Sequence, residues 1–152
     1  MSIMRPDANY KKSNKITVVK FSVNQQSLKL TQFLLNSSTT ASRQKRGEQL
    51  LDELCDCARI DIVKLKISDT NQYHKHSGGR VVYKQYGYYR GKYIYIQNLT
   101  AVRGQILAPK TFVDTLLHEW LHHYDTYHLR LNSIHTKGFY LRLNDLKLKL
   151  GI

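Results

Sequence analysis

The sequence is poor in cysteine and proline, and these shortages exclude several classes of protein. Its 152 residues include two cysteines and two prolines. Two cysteines are too few for the disulfide framework of a small secreted domain, and no C-x-x-C pair is present to form a zinc ribbon. With so little proline and a hydrophobic fraction of 41%, the chain is not a largely disordered one. We expect a single folded domain with one modest core.

The two cysteines, Cys55 and Cys57, stand two positions apart. On a helix their side chains point about 200° apart, which does not suit a disulfide. We interpret them as a reduced pair, with Cys55 buried and Cys57 nearer the surface. A metal-binding or redox role is the alternative.

Long hydrophobic runs are also missing. No apolar stretch approaches the ~20 residues that are needed to span a bilayer. Residues 1–7 contain no hydrophobic signal core. We therefore expect no membrane contact and an intracellular, cytoplasmic location.

Acidic side chains are scarce as well. The chain has 11 Asp and Glu against 24 Lys and Arg, for a formal net charge of +13. Such a field attracts polyanions and accelerates encounters with nucleic acid. We predict a nucleic-acid partner bound through a basic surface, with association with the nucleoid. Because the basic residues are spread along the chain, a cationic surface without a specific partner is the alternative.

Hydrophobic periodicity divides the chain into elements typical of an α+β domain. Residues 1–14 are polar and predict a flexible N-terminal arm, and residues 15–152 form the domain. Within it we expect strands at 15–23 and 61–67, helices at 28–35, 42–59, 109–127 and 139–150, a polar loop at 71–79, and a tyrosine-rich hairpin that turns at Arg90-Gly91. Residues 146–150 also alternate, so a terminal strand is the alternative there.

A motif for metal chemistry lies within the helix at 109–127. His118, Glu119 and His122 read H-E-x-x-H, and two histidines four residues apart stand one above the other on a helix face. Glu119 lies about 100° round the helix from His118, so it is placed to act on a water beside a metal rather than on the metal. The motif predicts a zinc hydrolase site, most often that of a peptidase.

The helix that carries the motif has two distinct faces. His118, His122 and Asp125 share a polar side, and the opposite side is apolar. The apolar stripe consists of Val113, Leu117, Trp120 and Tyr124. A histidine pair opposite the core stripe is placed to bind a metal. Asp125 is a candidate to orient one of the imidazoles, and a plain surface carboxylate is the alternative.

A catalytic zinc takes three protein ligands and keeps one open position, so a third ligand is needed. His128 has the spacing of the metzincin signature, but Asp125 stands where that pattern uses a glycine to turn the chain. His135 follows after a loop long enough to return it over the helix. The outside candidates are Asp125, His74 and His76. We expect His135 to be the third ligand, with His128 as its rival.

The segment from His135 to Phe139 opens the next helix and reads His-Thr-Lys-Gly-Phe. Together with H-E-x-x-H, it resembles the SprT-like metallopeptidases, the family of bacterial SprT and eukaryotic Spartan. Their pattern continues, after a loop of about a dozen residues, with His-Gly-x-x-Phe/Trp. The spacing from His122 to His135 and the aromatic Phe139 agree with it, whereas Thr136 stands where the family usually has glycine. The resemblance covers roughly residues 80–145, the catalytic core only.

The resemblance implies a small zincin-like α+β domain, in which the motif helix packs on a short, mostly antiparallel sheet with flanking helices. It implies Zn²⁺ bound by His118, His122 and His135, with Glu119 as the catalytic base of peptide hydrolysis. It also implies that the strand at 92–97 lines the substrate cleft. Spartan-like proteins digest proteins crosslinked to DNA, so the expected substrates are DNA-associated or DNA-crosslinked proteins, a role that suits the net charge.

Two other functions are compatible with these residues. One is a regulatory zinc peptidase that cuts one specific protein, and the other is a basic nucleic-acid-binding protein with a structural zinc. Glu119 argues against the second, because a structural site does not need it.

A peptidase also needs a group that stabilises the oxyanion of the transition state. The candidates for this group are Tyr140, Tyr127, His128 and Arg130.

Overall fold

The computed structural model of the chain describes residues 5–77 and 80–152, with the backbone alone for 73–77 and 80–85. In chain order the elements are α1 Pro6–Lys15, α2 Gln25–Leu34, α3 Thr40–Ala58, β1 Lys64–Asn71, β2 Tyr73–Ser77, β3 Arg80–Gln85, β4 Gly87–Arg90, β5 Tyr93–Leu99, α4 Pro109–Tyr127 and α5 Lys137–Lys149. The protein is α+β, as predicted. No helix in the described residues is long and apolar enough to cross a membrane.

The four helices predicted inside the domain are confirmed as α2, α3, α4 and α5, with small shifts at their ends. The alternative of a terminal strand is wrong, because α5 continues to Lys149. The polar loop predicted at 71–79 is wrong over Tyr73–Ser77, which form β2. Residues 78–79 of that prediction lie outside the described residues.

The predicted flexible arm is instead helix α1 over residues 6–15. Pro6 occupies the first turn, where its missing N–H costs no hydrogen bond. Two polar residues of α1, Asn9 and Ser13, are buried. The Asn9 amide exchanges two hydrogen bonds with the backbone of Asn132, at 2.8 and 2.9 Å. Tertiary contacts therefore hold in place a segment whose polar composition gives no hydrophobic signal.

The β-branched segment at 15–23 does not form the predicted strand. The Val19 N–H donates to Asp145 Oδ2 at 2.9 Å, and the Lys20 N–H donates to the Tyr124 hydroxyl at 2.9 Å. Because side chains of α4 and α5 satisfy these backbone donors, the segment needs no partner strand.

The three strands β1, β5 and β4 form one sheet in that spatial order. β1 pairs with β5 in parallel and β4 pairs with β5 antiparallel, so the sheet is mixed rather than mostly antiparallel. After β1 the chain forms the separate β2–β3 hairpin and then enters β4. β4 runs opposite to β1, and β5, which is antiparallel to β4, therefore runs parallel to β1. β5 is the central strand, and β4 lies at an edge.

The tyrosine-rich hairpin, predicted over residues 81–96, is confirmed for β4 and β5. Its first part is wrong, because residues 81–83 belong to β3, which pairs with β2 instead. The two loop residues of the β4–β5 hairpin, Gly91 and Lys92, have φ values of 55° and 65°. Two left-handed residues in succession suit a type I′ turn, whose twist matches that of the strands. The Lys92 ammonium also donates to Asp61 Oδ2 at 2.8 Å, which ties the turn to the chain before β1.

The core lies between one face of this sheet and the helices, with α3 packed on β1 and α4 packed on β4 and β5. Burial alternates along β1 and β5, as expected for strands with one covered face. The inward-facing residues of the two strands are Leu65, Ile67, Ile94 and Ile96. Ile62, inside the strand predicted at 61–67, is 59% exposed, because the buried side of this segment is formed by Val63, Leu65 and Ile67.

The predicted apolar stripe of α4 is confirmed. Its members Val113, Leu117, Trp120 and Tyr124 are all fully buried. The Trp120 indole N–H donates to Cys55 Sγ at 3.3 Å. Cys55 is buried, Cys57 is half-buried and both are free, as expected of a reduced pair. Burial raises the pKa of both thiols, which does not favour the thiolate that binds metals.

A buried arginine fixes the start of α4. Arg43 of α3 is fully buried, and burial lowers its pKa. Its guanidinium donates to Ser37 Oγ and the Ser37 carbonyl, to Asn98 Oδ1 at 2.6 Å, and to the Leu107 carbonyl at 2.8 Å. These bonds join α3 to the end of β5 and to the loop that enters α4.

Helices α1 and α5 approach each other closely at Gly138. A Cβ atom on Gly138 would lie 2.1 Å from the Ser13 carbonyl oxygen and 2.8 Å from backbone atoms of Asn14. Because these neighbours are backbone atoms, they cannot move aside without displacing α1. The Gly138 N–H also donates to Asn14 Oδ1 at 3.2 Å.

We predict that Gly138→Ala lowers the free energy of unfolding by about 1–3 kcal/mol, because the added methyl overpacks against α1. Alanine is the better helix former by about 1 kcal/mol, so without this contact the substitution would stabilise α5. Chemical denaturation measures the change. The control is Asn144→Ala, at an exposed position of the same helix, with an expected effect within about 0.5 kcal/mol. Equal stabilities of the two variants would contradict the packing described.

Candidate metal centre

Three histidines converge on one point at the surface of α4. His135 Nε2 lies 3.0 Å from His118 Nε2 and 2.9 Å from His122 Nε2. Nitrogens that share a tetrahedral zinc at about 2.0 Å lie about 3.3 Å apart. The three side chains are therefore close enough to bind one metal ion.

Local structure explains how His135 reaches the helix. α4 ends at Tyr127, and the chain returns to begin α5 with Thr136 as its N-cap. The Thr136 hydroxyl accepts from the Phe139 N–H at 3.0 Å and lies 2.8 Å from Ser13 Oγ. Its φ of −82° is open to any residue, so the glycine usual in the SprT-like pattern is not required here. Thr136 caps α5 through its side chain, which glycine lacks.

His128, the rival third ligand, points elsewhere. It is the exposed C-cap of α4, and its ring stacks on Tyr124 with centroids 4.9 Å apart. The helix continues through Asp125, so the turn that would bring His128 back is absent. The side chains of the outside candidates His74 and His76 lie beyond those that the structure describes.

Burial sets the protonation of the two helix histidines. It lowers the pKa of His118 to about 4 and that of His122 to about 3, and neighbouring histidines add to the effect. Both rings are therefore neutral near pH 7 and keep a nitrogen lone pair for a metal. Glu119, between them in sequence, is 8% exposed, and burial raises its pKa to about 7.

A chain of hydrogen bonds fixes the orientation of His122. Ser133 Oγ donates to Asp125 Oδ2 at 2.8 Å and lies 2.8 Å from His122 Nδ1. Since the serine has one proton and gives it to the carboxylate, it accepts from His122 Nδ1–H. His122 is thereby held in the tautomer whose Nε2 lone pair faces the other two histidines. Asp125 supports the site through Ser133 rather than by direct contact.

The far side of Asp125 is bound to a buried arginine. Arg142 Nε and Nη2 donate to the two Asp125 oxygens at 3.1 and 2.8 Å, and both side chains are fully buried. The remaining Arg142 protons go to Ser13 Oγ and to the carbonyls of Ser13 and Ile16. Burial raises the pKa of Asp125, and the bonds from Arg142 oppose that rise. The ionised carboxylate leaves neither buried charge uncompensated.

The three histidines open into a cleft of about 850 Å³. Residues 86–91, which include β4, line one side, and Glu119, Asn132 and Ser133 are among the lining residues on the other. The strand expected to line the cleft, at 92–97, is instead the central strand β5, one position further from the site. The edge strand β4 takes the place that we expected for it.

The candidates for a transition-state partner are placed differently from one another. Tyr140 is 47% exposed, and its ring centroid lies 5.9 Å from that of His135 and 6.3 Å from that of His118. Tyr127 lies at the end of α4 under Lys92, whose Nζ is 5.1 Å from the ring centroid. Among Tyr140, Tyr127, His128 and Arg130, only Tyr140 has a described ring contact with the metal-site histidines.

Sequence reasoning missed the residues that support the site. Nothing in the pattern distinguishes Arg142 from a surface arginine of an amphipathic helix, and Ser133 is an ordinary loop serine. His123, next to His122 in sequence, is directed away from the site. It accepts from the Tyr89 hydroxyl at Nδ1 (2.8 Å) and donates from Nε2 to the Asp61 carbonyl at 2.6 Å. This bridge joins β4 to α4.

The chain was compared with models of protein families, with curated proteins and with solved structures, and none of them matches it. The SprT-like, zincin-like assignment therefore stays a prediction from the motif.

We predict that His135→Ala weakens Zn²⁺ binding by more than roughly 100-fold. Loss of a hydrogen bond that supports a ligand costs roughly 10–100-fold, and loss of the ligand itself should cost more. His128→Ala should leave binding unchanged, because that ring is turned to Tyr124. Competition with a chromophoric zinc chelator measures both affinities. Zinc loss in His128→Ala with full binding in His135→Ala would contradict the site.

We predict that Ser133→Ala weakens Zn²⁺ binding by about 10-fold, because His122 loses the acceptor that fixes its tautomer. The same competition assay measures the effect, and Ser22→Ala, at an exposed position, is the control. Ser133→Thr retains the hydroxyl and should recover most of the affinity. Unchanged affinity of Ser133→Ala would show that Asp125 does not act on the site through this bond.

Proposed function

We propose that this protein is a zinc-dependent metalloendopeptidase that hydrolyses peptide bonds in DNA-associated or DNA-crosslinked proteins. The observation that carries the proposal is the position of His135 Nε2, which lies 3.0 Å from His118 Nε2 and 2.9 Å from His122 Nε2, on a cleft that also contains Glu119. Three imidazoles and an open position are the donor set of catalytic zinc, whereas structural sites are closed by four protein ligands.

The donor set fits zinc better than a harder cation. His118, His122 and His135 offer nitrogen atoms only, and imidazole suits Zn²⁺, whereas Mg²⁺ and Ca²⁺ take oxygen ligands. When bound, Zn²⁺ polarises the carbonyl to be cleaved and lowers the pKa of a water in its open position. The protein's part is to present neutral imidazoles in fixed orientations, which the burial of α4 and the Ser133 bond support.

Glu119 is the general base of the proposed reaction. Its carboxylate takes a proton from the attacking water and returns it to the amine nitrogen as the peptide C–N bond breaks, so the carboxylate is regenerated. Its position on α4, one residue after His118, keeps it off the ligand face and inside the cleft. Burial of the side chain keeps competing water away from the carboxylate.

The edge strand β4 supports a peptide substrate. In the described sheet β4 pairs with β5 alone, so its other edge has backbone groups to offer an extended chain beside the cleft. Recognition through backbone bonds places little demand on substrate side chains, which suits an enzyme that digests many proteins. The net charge of +13 favours an encounter with substrates on DNA.

We predict that Glu119→Gln keeps Zn²⁺ bound and lowers kcat/KM by about 10²–10⁴-fold, because the amide cannot accept the proton. Digestion of casein and of histones, each with and without single-stranded DNA, measures the activity, and metal analysis measures zinc content. Asp56→Asn, at an exposed position of α3, is the control. Full activity of Glu119→Gln would contradict the assigned base. Failure of the zinc-loaded protein to cut either substrate would contradict a general peptidase.

A further inference from the structure

The outward face of the three-stranded sheet carries aromatic and cationic residues in two rows. Residues opposite one another in register share a face of a sheet. The first row runs Lys64, Tyr93, Arg90 across β1, β5 and β4, and the second runs Lys66, Tyr95, Tyr88. We call these six residues the tyrosine face. The residues between them, such as Leu65 and Ile94, point to the core.

The rings of the tyrosine face form a continuous stack. Tyr95 lies between the other two, with its centroid 4.8 Å from Tyr88 and 5.9 Å from Tyr93, and the ring planes differ by 21° and 19°. Tyr88 is 43% exposed and Tyr93 39%. Packing inside the protein therefore does not account for Tyr88 and Tyr93, because about two-fifths of each side chain is exposed to water while the inward residues of the same strands are buried.

Cations border the stack on both sides. The Lys64 ammonium lies 5.5 Å from the Tyr93 centroid, and Lys66 and Arg90 are exposed. Glu48 and Asp52 of α3 share a smaller hollow with Lys64 and Lys66 at the β1 border, so negative charge lies on that side. A polyanion that avoids those carboxylates crosses the tyrosines toward Arg90.

We propose that the tyrosine face binds single-stranded nucleic acid, with the tyrosine rings stacking on bases and the lysines and Arg90 holding phosphates. Stacking platforms bordered by cations are how proteins bind single strands without sequence preference. In a duplex, stacking between successive base pairs hides the base faces that such a platform needs. The proposal rests on the nucleic-acid part of the proposed function and not on its peptidase chemistry.

The position of the tyrosine face connects it to the candidate active site. Tyr88 and Arg90 belong to β4 and also line the cleft that contains the three histidines. A nucleic-acid strand that lies across the tyrosine face toward Arg90 places a protein attached to it at the mouth of the cleft. The tyrosine face would thus select protein substrates that are attached to nucleic acid, while β4 binds the substrate backbone.

The test measures the fluorescence anisotropy of a labelled oligothymidylate of about 20 nucleotides, longer than the roughly 4–16 that a small domain covers. The protein is the Glu119→Gln variant, so the result does not depend on peptidase activity. We expect Tyr93→Ala in this background to weaken binding about fivefold or more, through the loss of one stacked base. Tyr10→Ala removes a tyrosine that is 52% exposed on α1 and should change nothing.

Salt dependence tests the cations separately. Lys64→Ala with Lys66→Ala should reduce the slope of log K against log salt by about 1.4, since each phosphate contact on a single strand contributes about 0.7. The matched control is Lys11→Ala with Lys15→Ala, which removes two exposed lysines from α1. The same decrease in both double variants would overturn the proposal, because it would reflect net charge alone.

Duplex DNA and oligouridylate of the same length complete the test. We expect weaker binding of the duplex and no effect of Tyr93→Ala on it. A loss with Tyr93→Ala for oligothymidylate, oligouridylate or both supports the proposal, and the difference between the two identifies the natural strand as DNA or RNA. Wild-type affinity of Tyr93→Ala for both single strands, with an unchanged unfolding midpoint, overturns it.

Discussion

The buried ion pair between Asp125 and Arg142 is the interaction on which the rest of the structure depends. Removing one partner of such a pair leaves a buried charge and costs about 3–5 kcal/mol, a large part of the stability of a small domain. The pair is retained because every Arg142 proton has an acceptor, on Asp125, Ser13 or Ile16. To supply these acceptors, α1, α4 and α5 must meet at one place, and this requirement explains why a glycine is needed at Gly138.

The same carboxylate links that core interaction to the candidate metal centre. One Asp125 oxygen accepts from both Arg142 and Ser133, and Ser133 in turn accepts from His122. The orientation of His122 is therefore set through a fully buried side chain and not by a mobile surface group. A site supported in this way changes geometry only when the helices move, which is the rigidity that a zinc centre needs.

Sequence patterns predicted those parts of the fold that depend on one periodicity. The stripe of α4 and the hairpin at Gly91 were predicted because each is decided by neighbours along the chain. α1 was not, because buried polar residues such as Ser13 bind partners more than a hundred positions away. Residues 16–23 resemble a strand by propensity, yet side chains from α4 and α5 satisfy their backbone. In the site, the spacing from His122 predicted His135 as the third ligand. The role of Arg142 depends on tertiary contacts, which produce no periodic pattern in the sequence.

One alternation along β1, β4 and β5 accounts for both surfaces of the sheet. Because side chains of a strand point alternately to opposite faces, the residues that build the core force their neighbours outward together. Ile94 and Ile96 are fully buried under α4, so Tyr93 and Tyr95 must line up outside. The antiparallel register then brings Tyr88 beside Tyr95, which completes the stack. Tyrosine at these outward positions is not required for folding, since any β-forming residue with a polar end would serve there. Three of them in contact, flanked by lysine and arginine, therefore point to a partner with flat rings and negative charge.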